Sequence, residues 1–170
     1  MRLAASKQLS IAEAVRTVAA WRAGGARVVL ANGVFDLLHV GHVRYLEGAR
    51  RHGDRLVVAV NGDAATARLK GPGRPVLPAT ERASLVAALR CVDAVVVFEE
   101  PSADRILEQL GPDVHAKGTD YSVDTVPERA TAAAHGVHTV IAGDPKEHSS
   151  RELVERVAAR LREEQTRRDR

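Results

Sequence analysis

The chain has one cysteine, Cys91, in 170 residues, so no disulfide framework can hold it together. Cys91 falls between a helical run and an apolar strand and reads as a small buried residue. Aromatic residues make up 3% of the chain, too few for platforms that stack nucleic-acid bases. No apolar run approaches the roughly 20 residues that span a bilayer. The first ten residues, MRLAASKQLS, lack the apolar centre of a signal peptide. The motif GxxxxGK[ST] is absent. Gly71-x-Gly73 lacks a third glycine and opens no helix. Neither a P-loop nor a dinucleotide fingerprint is therefore present. A cytoplasmic, soluble protein with no nucleic-acid and no membrane partner is expected.

What is present fits one globular unit. Hydrophobic residues make up 45% of the chain, enough for a sizeable core. The net charge of +3 comes largely from Arg167, Arg168 and Arg170, which suits a solvated tail better than a charged binding surface. A single domain over 1–170 is expected, with an N-terminal helix at about 10–23, a core at about 27–162 and a frayed basic tail.

Apolar periodicity sets the order of elements. Ser10 and Glu13 form a capping box that opens the first helix, and Gly24-Gly25 ends it. Strands are expected at 27–31, 55–61, 92–98, 114–117 and 137–142. The second is apolar throughout, as befits a strand covered on both faces. Helices are expected between them at 43–50, 63–69, from Thr80, from Pro101-Ser102 and, weakly, at 127–135. A second capping box, Ser149 with Glu152, opens a last helix with Leu153, Val154, Val157 and Leu161 on one face. Alternating strands and helices imply an α/β fold. The expectation is a Rossmann-like three-layer sandwich, with a parallel five-stranded sheet and helices on both faces.

The stretch 31–42, ANGVFDLLHVGH, follows the first strand and leads into a helix. Strand-to-helix turns of this kind form the ligand edge of an α/β sheet. Asn32-Gly33 is expected to make the sharp turn. His39 and His42 fall on the first turn of the helix, beside free backbone N–H groups and the positive helix end. Gly41 removes a side chain that would obstruct a phosphate. Two imidazoles there can donate hydrogen bonds to charge that builds up in a transition state.

Three other segments, 61–63, 117–121 and 143–150, end strands on the same edge. Taken alone, their polar residues are ambiguous. Lys117 is either a solvated lysine or a phosphate ligand. Asp120 is a turn former or a ligand contact. Arg82 stands on the first turn of a helix, where the dipole disfavours a cation, so Glu81 or a bound phosphate must offset it. Lys70 and Arg74, in the Gly- and Pro-rich loop 70–78, read as solvent-facing. Ser149 and Ser150 read as helix caps that also suit a phosphate. Asp36 braces the turn or binds a ligand or metal, with bracing ahead, and Phe35 reads as core.

The run Asn32-Gly33-Val34-Phe35-Asp36-Leu37-Leu38-His39-Val40-Gly41-His42 resembles the signature of the cytidylyltransferase-like nucleotidyltransferases. Within them it is most similar to the stand-alone heptose 1-phosphate adenylyltransferases that make ADP-heptose. The similarity extends from about 32 to 150 and includes 54–63, 68–78 and Lys117-Gly118-Thr119-Asp120-Tyr121. It implies His39, His42 and Lys117 as catalytic residues. Nucleotide binding is implied for Asn32, Gly33, Val34, Phe35, Gly41, Lys70, Arg82, Gly118, Asp120, Ser149 and Ser150. Substrate binding is implied for Asp36, Asn61, Asp63, Arg74 and Tyr121. Mg²⁺ is expected to be bound mainly through the ATP phosphates, with no protein metal ligand. The implied partners are ATP and a sugar 1-phosphate, with a separate sugar kinase upstream; a homodimer is left open.

The chain departs from the family pattern in three places. Arg151 stands where relatives carry a third hydroxyl, Thr119 replaces a glycine, and His135 replaces a tryptophan before the fifth strand. Two further readings compete. One is another enzyme of the same superfamily, of glycerol-3-phosphate cytidylyltransferase or FAD synthetase type. The other is a non-catalytic nucleotide-binding module. A four-histidine zinc site from His39, His42, His135 and His138 is disfavoured, because the two pairs belong to opposite edges of the sheet.

Overall fold

Strands made almost wholly of valine, leucine and alanine have to be covered on both faces. In the computed structural model, which describes residues 3–144 and 150–168 (for Arg151, the backbone alone), the first three strands divide their side chains between two apolar layers. The elements are α1 (Ile11–Ala23), β1 (Val28–Gly33), α2 (Val40–Arg50), β2 (Arg55–Asn61), α3 (Asp63–Lys70), α4 (Ala79–Ala88), β3 (Ala94–Phe98), α5 (Asp104–Leu110), β4 (Val114–Gly118), α6 (Arg129–Ala134), β5 (His138–Ala142) and α7 (Ser150–Arg168). The strands lie in the order β3-β2-β1-β4-β5, and the neighbours are parallel. The fold is the expected Rossmann-like α/β sandwich.

Val29, Ala31, Leu56, Val58 and Val60 face one layer, packed with Leu46 and Ala49 of α2 and Ala83 and Val86 of α4. Val28, Leu30, Val57 and Ala59 face the other, packed with Ala14 and Val18 of α1, Ile106 and Leu107 of α5 and Ala132 of α6. Chain order reverses between β1 and β4. At such a switch point the crossovers diverge and leave a crevice beyond the carboxyl ends of the strands.

Local chemistry sets the boundaries. The Ser10–Glu13 capping box forms as expected. β1 runs on through Gly33, so the sharp turn does not fall at Asn32-Gly33. The left-handed residues are Phe35 and Leu37, each with φ of 53°. Gly33 has a different use, since a Cβ there would lie 3.2 Å from the Phe35 ring. The fourth helix starts at Ala79 with Pro78 as its N-cap, not at Thr80, because proline's fixed φ suits a helix start. Leu85 of α4 is 43% exposed. Cys91 is half-buried, and that burial pushes its thiol pKa up.

Two further differences lie at the C-terminal end. The Ser149 cap falls outside the described residues. α7 does not fray after Leu161 but continues to Arg168. Glu163 and Arg167, like Glu164 and Arg168, stand four apart with the acid first, the spacing and order that support an exposed helix. The expected apolar stripe of α7, from Leu153 to Leu161, is 37–60% exposed.

One close approach couples the two ends of the ligand edge. A Cβ on Gly48 of α2 would come within 2.8 Å of the Gly143 backbone nitrogen, just after β5. Gly143 has φ of +96°, and a Cβ on it would come within 3.1 Å of Tyr45 Cα. Backbone is all that fits between α2 and this turn. Gly48→Ala is expected to cost about 1–3 kcal/mol through overpacking. Denaturant titration measures it, and a midpoint equal to that of the unchanged protein would contradict the contact.

Candidate active site

A cavity of about 730 Å³ opens at the carboxyl edge, over the switch point between β1 and β4. That size suits a nucleotide-scale ligand. Its wall brings together most of the residues expected from the sequence. From the β1–α2 turn come Asn32, Gly33, Val34, Phe35, Asp36, His39, Gly41 and His42. Asn61, Lys70 and Arg74 come from around β2 and the following loop. Lys117 and Gly118 end β4, Asp120 and Tyr121 follow it, and Ser150 opens α7.

The histidines are set by the first turn of α2. His39 is its N-cap, and the His39 Nδ1 accepts the Gly41 backbone N–H at 3.2 Å. The His39 backbone N–H donates to His42 Nδ1 at 3.3 Å. Each ring thus uses Nδ1 as an acceptor, which puts the proton of the neutral imidazole on Nε2. The rings stack with centroids 3.9 Å apart. Burial lowers the His42 pKa to about 4, helped by the positive potential of His39 and Lys70. His42 is therefore a neutral donor at physiological pH. Phe35 sits beneath it, 5.4 Å away centroid to centroid, and stacks on Tyr45 at 6.3 Å.

Asp36 is a brace. It is 3% exposed and accepts the backbone N–H groups of Val76 and Leu77 at 3.0–3.1 Å. Arg74 donates to it at 2.6 Å. Burial works against its charge, but these donors hold its carboxyl below the usual range. Arg74, expected to face solvent or substrate, is thereby latched to the turn.

Two expected site residues lie elsewhere. Arg82 has no exposed surface and is not in the cavity wall. Its guanidinium donates to the carbonyls of Leu77, Val34 and Asn61 and to the Asp63 carboxylate, at 2.5–2.9 Å. These acceptors, not a phosphate, offset the cation at the helix start. Asp63 in turn accepts from Arg82 and the Ala79 N–H and is also absent from the wall. Ser149 is outside the described residues. Of the second pair in the disfavoured four-histidine set, His138 opens β5 at the amino edge, and neither it nor His135 lines the cavity.

Lys117 is in the wall, but its ammonium is already engaged. It lies 3.1 Å from Glu128 Oε2 and 3.4 Å from Asn32 Oδ1, and 4.9 Å above the Tyr121 ring. Glu128, 3% exposed, has its pKa lowered despite burial, chiefly by Lys117. Sequence reasoning missed Glu128, together with Arg44, Tyr45, Thr119 and Asp144 of the wall. It also missed His115, which lies wholly buried behind the wall with Nε2 2.9 Å from Asn32 Oδ1. Alternation was the available signal: His115 and Lys117 are two apart on β4 and share a face.

Comparison with known proteins places the chain. Residues 30–162 match the cytidylyltransferase-like family. The bifunctional protein HldE of Alcanivorax borkumensis is 47% identical over 136 residues, covering 80% of this chain and 29% of that protein. The bifunctional protein HldE of Magnetococcus marinus is 45% identical over 148 residues, covering 87% and 30%. The chain therefore spans under a third of the length of these relatives. Among solved structures, the lipopolysaccharide core biosynthesis protein of Thermoplasma volcanium superposes with a TM-score of 0.62 at 29% identity, covering 72% of this chain and all of that one.

Two expected outcomes test the geometry. Arg82→Met should cost about 1–3 kcal/mol for each buried carbonyl left without a donor. It should not weaken nucleotide affinity in the folded fraction, and a selective loss of affinity would restore a ligand role. The second concerns pH. With its folded pKa lowered to about 4 from an ordinary 6.5, His42 takes up a proton in the unfolded chain before it does in the folded one. Its contribution to stability is whole above pH 6.5 and is lost as pH falls towards 4. The melting temperature of His42→Asn should accordingly fall less steeply across that window than that of the unchanged protein; parallel profiles would exclude this titration. By sequence match, by relatives and by fold, the chain belongs to the cytidylyltransferase-like family.

Proposed function

We propose that this chain is a nucleotidyltransferase that moves AMP from ATP to a sugar 1-phosphate, with heptose 1-phosphate as acceptor, giving an ADP-sugar and pyrophosphate. The observation that carries the reading is the pair of imidazoles in the cavity wall, each tied through Nδ1 to the first turn of α2.

An acceptor phosphate oxygen forms a bond to the α-phosphorus, and the bond from that phosphorus to the pyrophosphate oxygen breaks. The acceptor arrives as an anionic nucleophile, so no side chain has to attack. Catalysis is then positioning and stabilisation of charge. The Nε2–H groups of His39 and His42 donate to oxygens on the reacting phosphorus. The N-terminal ends of α2 and α7, the latter bearing Ser150, suit the outer phosphates. Lys70, close enough to depress the His42 pKa, supplies positive charge beside them. Lys117 acts from within its pair with Glu128, as a fixed part of the wall.

Mg²⁺ would enter with ATP and neutralise phosphate charge. Among the described residues no three His, Cys, Asp or Glu side chains converge on one point. The buried carboxylates Asp36 and Glu128 are already paired with cations. That donor set fits a metal held through phosphate oxygens.

The heptose acceptor is supported by the sequence resemblance and by the HldE and lipopolysaccharide core biosynthesis relatives. A sugar-phosphorylating activity must supply its 1-phosphate. The test is pyrophosphate release with ATP, CTP, GTP and UTP against heptose 1-phosphate, glucose 1-phosphate, glycerol 3-phosphate and FMN. Release is expected with ATP and heptose 1-phosphate. Nucleotide binding without release from any pair would point to a non-catalytic module. His39→Ala and His42→Ala should each lower kcat by about 10²–10³ while the circular dichroism spectrum stays that of the folded protein. Full turnover in both variants would rule out their role.

A further inference from the structure

Three polar side chains, two of them buried, share one face of the sheet under the cavity. Leu30 is paired with His115 and Ala31 with Ala116, which sets Asn32 beside Lys117. Asn32, His115 and Lys117 all point to the side of the sheet occupied by α5 and α6. Their hydrogen bonds permit only one arrangement of protons. An ammonium is a donor only, so the Asn32 atom 3.4 Å from Lys117 Nζ must be the amide oxygen. The same oxygen lies 2.9 Å from His115 Nε2. His115 must therefore carry its proton on Nε2, which leaves Nδ1 as an acceptor. That Nδ1 is buried and has no hydrogen-bond partner among the described residues.

A histidine kept for stability would be expected to have both nitrogens satisfied. This one spends its single N–H on Asn32 and has no donor facing Nδ1 among the described residues. Burial also lowers its pKa, against the pull of Glu128, so it stays neutral. Asn32, by contrast, is half-buried and lines the cavity. With its oxygen turned inward to two donors, its NH₂ group is what remains for a ligand.

We propose that His115 is a positioning residue: it fixes the Asn32 amide so that the Nδ2 N–H pair faces the cavity and donates to an oxygen of a bound substrate. This rests on the reaction proposed above. The donor suits a phosphate or hydroxyl oxygen of either ATP or the sugar phosphate, and separate Michaelis constants distinguish the two.

The experiment compares the unchanged protein with His115→Leu and His115→Gln. Leucine removes both the donor and the unsatisfied nitrogen. Glutamine is long enough to return an N–H to Asn32. kcat and the KM for ATP and for heptose 1-phosphate are measured separately, with melting temperatures alongside. His115→Leu is expected to melt at the same temperature or higher, yet to lose about tenfold in kcat/KM for the substrate that Asn32 touches. His115→Gln is expected to recover to within about threefold of the unchanged protein. Unchanged kcat/KM for both substrates in His115→Leu would overturn the proposal, as would a glutamine variant no better than the leucine one. If the unchanged protein releases no pyrophosphate, the reaction assignment fails by itself. The three proteins are then compared by calorimetric affinity for ATP and for heptose 1-phosphate, and equal Kd values for both ligands in His115→Leu overturn the positioning role.

Discussion

The six residues between β1 and α2 carry the constraint on which the site depends. Phe35 and Leu37 both adopt positive φ, an arrangement that costs a bulky residue of order 1–3 kcal/mol. Asp36 stands between them, and its carboxylate takes two backbone N–H groups and a guanidinium from the loop before α4. Bonds of that kind to a charged acceptor are worth about 1.5–3 kcal/mol each, enough to hold the turn against its strain. The strain has a use. It folds the Phe35 ring back over Gly33 and under His42, so the imidazole pair rests on a rigid floor rather than on a loop.

The electrostatics are unusual for a wall proposed to receive a triphosphate. The two cations expected from the sequence as phosphate ligands deep in the site, Lys117 and Arg82, are both already engaged. Arg82 ties together the chain ends that leave β1 and β2, and Lys117 neutralises a buried glutamate. What the wall offers an anion is neutral donors and helix ends, together with Lys70 and with Arg44, the latter 3.4 Å from Asp144. Preorganised dipoles of that sort need no reorganisation as charge moves. They also avoid fixing a strong positive charge in an empty cavity.

Much of this was legible in the residues. Capping boxes, apolar strands and glycine stops gave the order of elements, because they act over three or four residues. The clustering of polar groups after strands gave the site, because parallel topology sends those positions to one edge. What could not be read was pairing at a distance. Nothing near Arg82 in the chain announces carbonyls at Val34 and Asn61, and nothing near Lys117 announces Glu128. The turn was misplaced for a related reason: Asn-Gly is the usual left-handed pair, yet a buried aspartate 40 residues from its partners forced that geometry on Phe35 and Leu37. Helix α7 ran past its expected end because charged residues in sequence register can sustain a helix that buries little.

The meeting of Gly48 and Gly143 makes the two sides of the crevice mechanically unequal. One side, from the imidazole pair to the chain leaving β5, is bolted to a single helix at a distance of one backbone thickness. The other, from Thr119 to Glu128, runs from β4 to α6 with a single helical turn along its length, fixed at its ends by Thr119 on the Asp144 carbonyl and by the buried Glu128. A bulkier or slimmer ligand would thus be accommodated by the exposed middle of that segment, while the side that carries the imidazole pair keeps its shape.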